Sequence, residues 1–164
     1  MFLQRHPVLG ADIESFDMSL LIKDAATGDQ AAWQVLWQDY LTFYRVTLDP
    51  AITDHTWARL MDPASPLKAR LAVQDGQLAG FAIHLHHPST WVIGDDCYLE
   101  DLFVNEDLRG GGVGRALIDD LAVLARARGS QRLYWHTDEG NLRARKLYDS
   151  IVPSDGHVRY RIKL

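Results

Sequence analysis

Apolar positions along the chain alternate between two periods. Trp33, Leu36, Trp37, Tyr40, Leu41 and Tyr44 recur every three or four residues, the stripe of a helix that buries one face. Val113, Leu117, Leu121 and Leu124 repeat that spacing over residues 113–128. Elsewhere the pattern shortens to strand-like runs at 20–23, 69–74, 78–86, 98–104 and 132–137. A last run at 157–163 alternates as Val158, Tyr160 and Ile162 and predicts a C-terminal strand.

Turn chemistry divides these segments. Thr27-Gly28-Asp29 supplies a helix start with Asp29 as its cap, and Asp49-Pro50 opens a second helix that ends near Asp62-Pro63. Asp75-Gly76 is a hairpin signal. Arg128-Gly129 gives a basic last turn and a glycine stop, and Asn141 is placed to cap a short helix to residue 150, with Leu142, Arg145 and Tyr148 at intervals of three. The order βααβββαβαβ predicts an α/β fold, a mixed sheet with helices on both faces. The aromatic face of the first helix packs on that sheet in the plainer reading; in the sharper one, its aromatic end also lines a substrate pocket.

Composition narrows the class. The chain's 164 residues fit one domain, expected over 18–164 with 1–17 as a loose extension and Met18 as the functional start. With 47% apolar and 24% charged residues it reads as soluble and globular. No window is apolar for long enough to span a bilayer, and MFLQRHPVLGADIESFD has no signal-type apolar core, so a cytoplasmic protein without a membrane partner is expected. A net charge of −5 disfavours nucleic acid and mildly favours cationic substrates. The single cysteine, Cys97, excludes an internal disulfide, argues against a cysteine-built metal site and reads as a small buried strand residue. His84-x-His86 shares one strand face, but the sequence indicates no third ligand, so no metal is expected.

The chemistry concentrates in YLEDLFVNEDLRGGGVGRALIDDLAVLARAR, residues 98–128, a strand, a glycine-rich turn and a helix. Such a turn leaves backbone N–H groups free at a helix N-terminus, where an anion can bind. Four glycines in five positions, each costing about 0.5–1 kcal/mol of backbone entropy, are better explained by a ligand approaching the backbone than by an ordinary tight turn. A Walker loop needs Gly-Lys-Ser/Thr, but Arg115-Ala116 follows Gly114. A dinucleotide fingerprint fails because its third glycine falls on Arg115 or Leu117.

What remains is Arg-x-x-Gly-x-Gly at Arg109, Gly112 and Gly114, followed later by Asn141 and Tyr148 in NLRARKLY. This pattern resembles the GCN5-related N-acetyltransferases (GNAT), closest in motif to the spermidine/spermine and small histone- or polyamine-type enzymes. The resemblance covers nearly the whole chain from Leu20. It implies a mixed, mostly antiparallel twisted sheet of six to seven strands. It also implies acetyl-CoA as co-substrate, held by Leu102, Phe103, Val104, Arg109, Gly110, Gly111, Gly112, Val113, Gly114, Arg115 and Asn141. Arg143 is a further candidate for the phosphates. In the family the turn amides hold the pyrophosphate, and the strand pairs with the pantetheine arm. A homodimer is also implied. The family's usual Gly-Phe after the Tyr-bearing helix is replaced by Val152-Pro153-Ser154-Asp155-Gly156-His157.

Acetyl transfer to an amine needs a held donor, a neutral amine, a stabilised oxyanion and a protonated thiolate. An alkylammonium of pKa ~10.4 is neutral about once in 2,500 molecules at pH 7, a deficit of roughly 4–5 kcal/mol, so a carboxylate base is the usual remedy. Glu100 and Asp101 enter the turn side by side, and adjacent strand residues point to opposite faces unless a bulge intervenes. By the resemblance Glu100 is favoured as base, with Asp101 the second choice or a binding group for the substrate ammonium. Simple pairing with basic neighbours is the structural alternative. Tyr148 is the candidate acid for the CoA thiolate, and backbone N–H groups of Leu102 to Val104 are the candidate oxyanion donors. The expected acceptor is a primary amine: a polyamine, a small amino compound or a peptide lysine, attacked directly in a ternary complex. The alternative is a non-catalytic acyl-CoA-binding module.

Overall fold

The computed structural model describes residues 19–164; the extension expected over 1–17 and the start at Met18 lie outside the described residues. Strand β1 (Leu20–Asp24) leads through a 3-10 turn into helices α1 (Gln30–Phe43) and α2 (Pro50–Met61). Strands β2 (Lys68–Gln74), β3 (Gln77–Pro88) and β4 (Asp95–Val104) follow, then α3 (Val113–Ala127), β5 (Arg132–Trp135) and α4 (Leu142–Asp149). The sheet runs β1-β2-β3-β4-β5, antiparallel except for the parallel pair β4–β5.

Local chemistry accounts for most boundaries. Asp75 and Gly76 have φ of 50° and 78°, the paired left-handed conformation of a type I′ hairpin turn. Asp49 caps α2 through the Ala51 amide at 2.9 Å, with Pro50 in the first turn. Asp29 departs from expectation. It precedes α1, but its carboxylate accepts from Lys23 Nζ at 2.7 Å and the Ala26 amide at 2.9 Å, not from an amide of the helix. The lysine is the stronger donor because it is charged.

Each sheet face carries its own core. Trp33, Leu36, Trp37 and Leu41 of α1, with Trp57 and Leu60 of α2, pack on Leu71, Phe81, Ile83 and Phe103. On the other face Val113, Leu117, Ile118 and Leu121 of α3 pack on Ala72, Ala82 and Leu99. Alanines there let the helix approach the sheet closely. Arg70 of β2 fastens α3 with a two-point bond to Asp120, at 2.7 and 2.9 Å. Helix α4 packs through Leu147 and Tyr148, not through the expected Leu142, which is exposed.

The strand count is five among the described residues, not six to seven. The C-terminal strand predicted at 157–163 is absent: the segment pairs with no strand, and Val158, Tyr160, Ile162 and Leu164 are exposed. Alternation fits a strand, but a strand also needs a partner, and among the described residues this one has none. Among the described residues no helix is long and apolar enough to cross a membrane.

Candidate active site

Strands β4 and β5 pair only from Asp96–Arg132 to Leu99–Trp135. Beyond Leu99 the β4 edge runs on without β5 beside it, and a cleft of about 340 Å³ opens there. Leu102, Phe103 and Val104 form its floor. Arg109, Gly110, Gly112, Val113, Gly114 and Arg115 border it on one side, and Asn141, Arg143, Ala144, Leu147 and Tyr148 on the other. Of the expected CoA-contacting residues only Gly111 is not on this wall.

Gly112 caps α3 at φ 84°, a left-handed conformation that L side chains resist. It has no side chain to occupy the first-turn amides, and those of Val113, Gly114 and Arg115 have no acceptor within the helix. Gly114 is glycine for a different reason: a Cβ would stand 3.2 Å from Leu147 Cδ2, against α4. The turn is thus an N–H cradle at the positive end of a 15-residue helix, suited to a diphosphate. The cleft, the cradle and its arginines fit the donor set that CoA requires.

The arginines differ. Arg109 donates from Nε to Val104 O at 3.0 Å, pairs with Glu106 at 2.6 Å and lies over the Phe103 and Phe43 rings, so it braces the turn. Arg115 pairs with Asp119 one helical turn on, an exposed pair that is easily exchanged. Asn141 caps α4 at the Ala144 amide and is hydrogen-bonded with Tyr44.

Glu100 and Asp101 do not line the cleft, and a β-bulge separates them. Ile83 faces Asp101 while His84 faces Leu99, so Glu100 is the extra residue. The bulge reverses the alternation. Leu99 lies on the α3 face, whereas Asp101 and Phe103 both turn toward α1. There Tyr40 donates to Asp101 at 2.5 Å. Burial pushes the Asp101 carboxyl up to about 6, against the Tyr40 hydrogen bond that lowers it and the Glu100 charge that raises it further. Burial and then the Asp101 charge raise the Tyr40 phenol well above its usual range, so it stays a donor. Glu100 is exposed.

Tyr148 is half-buried and edge-on to Trp135, ring centres 5.4 Å apart, and no protein group among the described residues hydrogen-bonds its hydroxyl. Burial, with a smaller effect from Tyr44, pushes its phenol up to about 12. Tyr44 links the two acid–base candidates: its ring is 5.0 Å from that of Tyr40, and its field reaches Tyr148. The plainer reading of the α1 face holds, and the aromatic end meets a cleft. The middle of the face packs on the sheet, while its end, Phe43 and Tyr44, borders the cleft. Sequence reasoning missed Tyr40 as the partner of Asp101. The helical stripe contained it, but nothing local distinguished it from its packed neighbours.

Comparison with known proteins agrees with this geometry. The Acetyltransferase (GNAT) family model matches residues 30–151. The chain is 34% identical over 144 residues to the D-amino-acid N-acetyltransferase HPA3 of Saccharomyces cerevisiae, covering 87% of this chain and 89% of that one. It is 38% identical over 89 residues to the thialysine N-epsilon-acetyltransferase of Caenorhabditis elegans, about half of each chain (51% and 55%). Among solved structures, the ribosomal-protein-alanine N-acetyltransferase from Brucella melitensis superposes with a TM-score of 0.77 at 25% identity, over 89% of this chain and 100% of the other. The chain belongs to the GNAT acetyltransferase family, and it is an N-acetyltransferase.

Proposed function

We propose that the enzyme acetylates the amino group of a small amino acid, using acetyl-CoA, by direct attack in a ternary complex. The observation that carries this reading is a second recess beside the cleft, sharing Phe43, Tyr44 and Asn141 with it and lined also by Arg45 and Asp138. A guanidinium and a carboxylate in one recess match the carboxylate and ammonium of an amino acid. The activities named for the relatives, on D-amino acids and on thialysine, support the same acceptor class. A polyamine has no carboxylate for Arg45.

Acetyl-CoA supplies the acetyl thioester. The amides of the glycine turn and the first turn of α3 hold its diphosphate, and N–H groups of Leu102 to Val104 receive the carbonyl oxygen as it becomes negative. Asp101 takes a proton from the substrate ammonium, directly or through water. Glu100, the other carboxylate, sits exposed on the bulge, and its charge acts on Asp101. As the N–C bond forms and the C–S bond breaks, Tyr148 gives its proton to the leaving sulfur, and the nitrogen's second proton leaves through solvent, from which Tyr148 is reprotonated. A homodimer also belongs to this reading, supported by the unpartnered C-terminal stretch and by β5, which has one strand neighbour.

The test is CoA release across a panel of D- and L-amino acids, thialysine, polyamines and a lysine peptide. Turnover concentrated on the free amino acids, and lowered at least tenfold in kcat/KM by Arg45→Ala, supports the proposal. Faster turnover of spermidine, or indifference to Arg45→Ala, overturns the acceptor class.

A further inference from the structure

His84 and His86 have no part in the chemistry above, and the cleft lies at the other end of β4. Their strand face is nonetheless built with care. His86 stands directly opposite Cys97 across the β3–β4 pair, and His84 is two residues away on the same face. One donor atom from each of the three residues lies within 4.8 Å of the others. His84 and Cys97 are 1% and 0% exposed, and His86 is half-buried.

We propose that His84, His86 and Cys97 form a binding site for a thiophilic d¹⁰ cation, Cu⁺ or Zn²⁺, between β3 and β4 on the α3 side of the sheet. The sequence placed His84 and His86 on one strand face and led to no metal being expected; the antiparallel register is what brings Cys97 beside them.

Several observations bear on this site independently. His84 Nδ1 and His86 Nε2 are both buried without a hydrogen-bond partner. A buried polar atom left so is costly, and two such nitrogens in a cluster with one thiol call for an occupant. His86 Nδ1 is 2.7 Å from Ser130 Oγ. That contact fixes the ring and leaves Nε2 as the free nitrogen, as partners of metal-bound histidines do. Burial, with the neighbouring His86, Arg128 and Arg70, pushes His84 down to about 4, so its imidazole is neutral and able to bind a cation.

Two imidazoles and one thiolate suit a soft or borderline ion in three-coordinate geometry. Metal–nitrogen bonds of about 2.0 Å and metal–sulfur bonds of about 2.3 Å place donors roughly 3.3–3.9 Å apart, so the three would close by about 1 Å. Burial pushes the Cys97 thiol up to about 11. Binding therefore breaks the S–H bond, forms the S–metal bond and releases one proton to solvent. The charges felt here are Arg128, Arg70 (already paired with Asp120 and Asp24) and Asp95 near His86. With one thiolate, a monovalent ion leaves the site neutral, whereas a divalent ion leaves a buried positive charge beside Arg128. The site favours Cu⁺.

The full chain, reduced and stripped with a chelator, would be titrated with Cu⁺ against a chromophoric competitor, with Zn²⁺, and with Co²⁺ as a spectroscopic probe. The expected result is one equivalent bound per chain, one proton released, a raised melting temperature and a thiolate-to-Co²⁺ charge-transfer band. Cys97→Ser and His86→Ala, checked by circular dichroism for an intact fold, should each lose at least tenfold in affinity, and Cys97→Ser should lose the band. His55→Ala, at an exposed position on α2, should change nothing. Zn²⁺ binding tighter than Cu⁺ with the same variant pattern would support the site and overturn the charge argument. No stoichiometric binding, or binding that survives both ligand variants, overturns the proposal.

Discussion

Asp101 is the residue whose surroundings differ most from those of an ordinary strand carboxylate. An unfolded aspartate titrates near 3.9; burial brings this one to about 6 beside the Tyr40 hydroxyl. The folded protein therefore holds the Asp101 proton more tightly than the unfolded chain does. The stability it contributes is full below about pH 4, falls as pH rises to about 6, and is a constant cost above that. Asp101→Asn should accordingly raise stability at pH 8, by about 3 kcal/mol at most, while leaving the Tyr40 bond an acceptor. As a base Asp101 must be ionised, so kcat/KM should rise through pH 6. In Asp101→Asn that limb should vanish and kcat should fall about 10²–10⁴-fold. Glu100→Gln should stay within about threefold. A pH–rate profile with a thermal melt checks both halves, and the reverse ranking would return the base to Glu100. Tyr148→Phe should lower kcat with little change in CoA affinity. Normal turnover in that variant would remove Tyr148 from the acid role.

At the scale of elements, the glycine turn and α3 act as one unit. Gly112 adopts φ 84° where α3 begins, and a side chain there costs about 1–2 kcal/mol of backbone strain. Gly112→Ala should lower the melting temperature. It should also weaken CoA binding by calorimetry, because an altered turn re-aims the first-turn amides. Unchanged CoA affinity would show that the turn is only structural. The turn was legible because its conformation follows from five contiguous residues. The β4 bulge was not. It depends on how Ile83 and His84 of β3 are set against Asp101 and Leu99, and nothing in YLEDLFV marks Glu100 as the extra residue. Alternation holds only where no bulge intervenes, and here one does, so the pattern could not show that Asp101 turns toward α1.

At the scale of the whole molecule, the open question is the C-terminal stretch. Val158, Tyr160, Ile162 and Leu164 expose apolar side chains in an alternating row, and β5 offers an edge with no second strand. Exposed apolar rows and sheet edges with one strand neighbour are surfaces on which the proposed homodimer can be tested. Light scattering should give twice the mass of one chain, and Val158→Asp with Ile162→Asp should return it to a monomer. A monomeric parent protein would overturn the dimer.

The sequence by itself determined the order of helices and strands from β1 to α4, the hairpin at Asp75-Gly76 and the glycine turn that opens α3. These are properties of adjacent residues: a period, a turn conformation, unpaired amides at a helix start. Only the tertiary structure decided that Tyr40 meets Asp101 across 61 residues, that Cys97 joins His84 and His86, and that the segment 157–163 pairs with none of the described strands. Each of these turns on the register between distant segments, where a shift of one residue exchanges the faces of a strand.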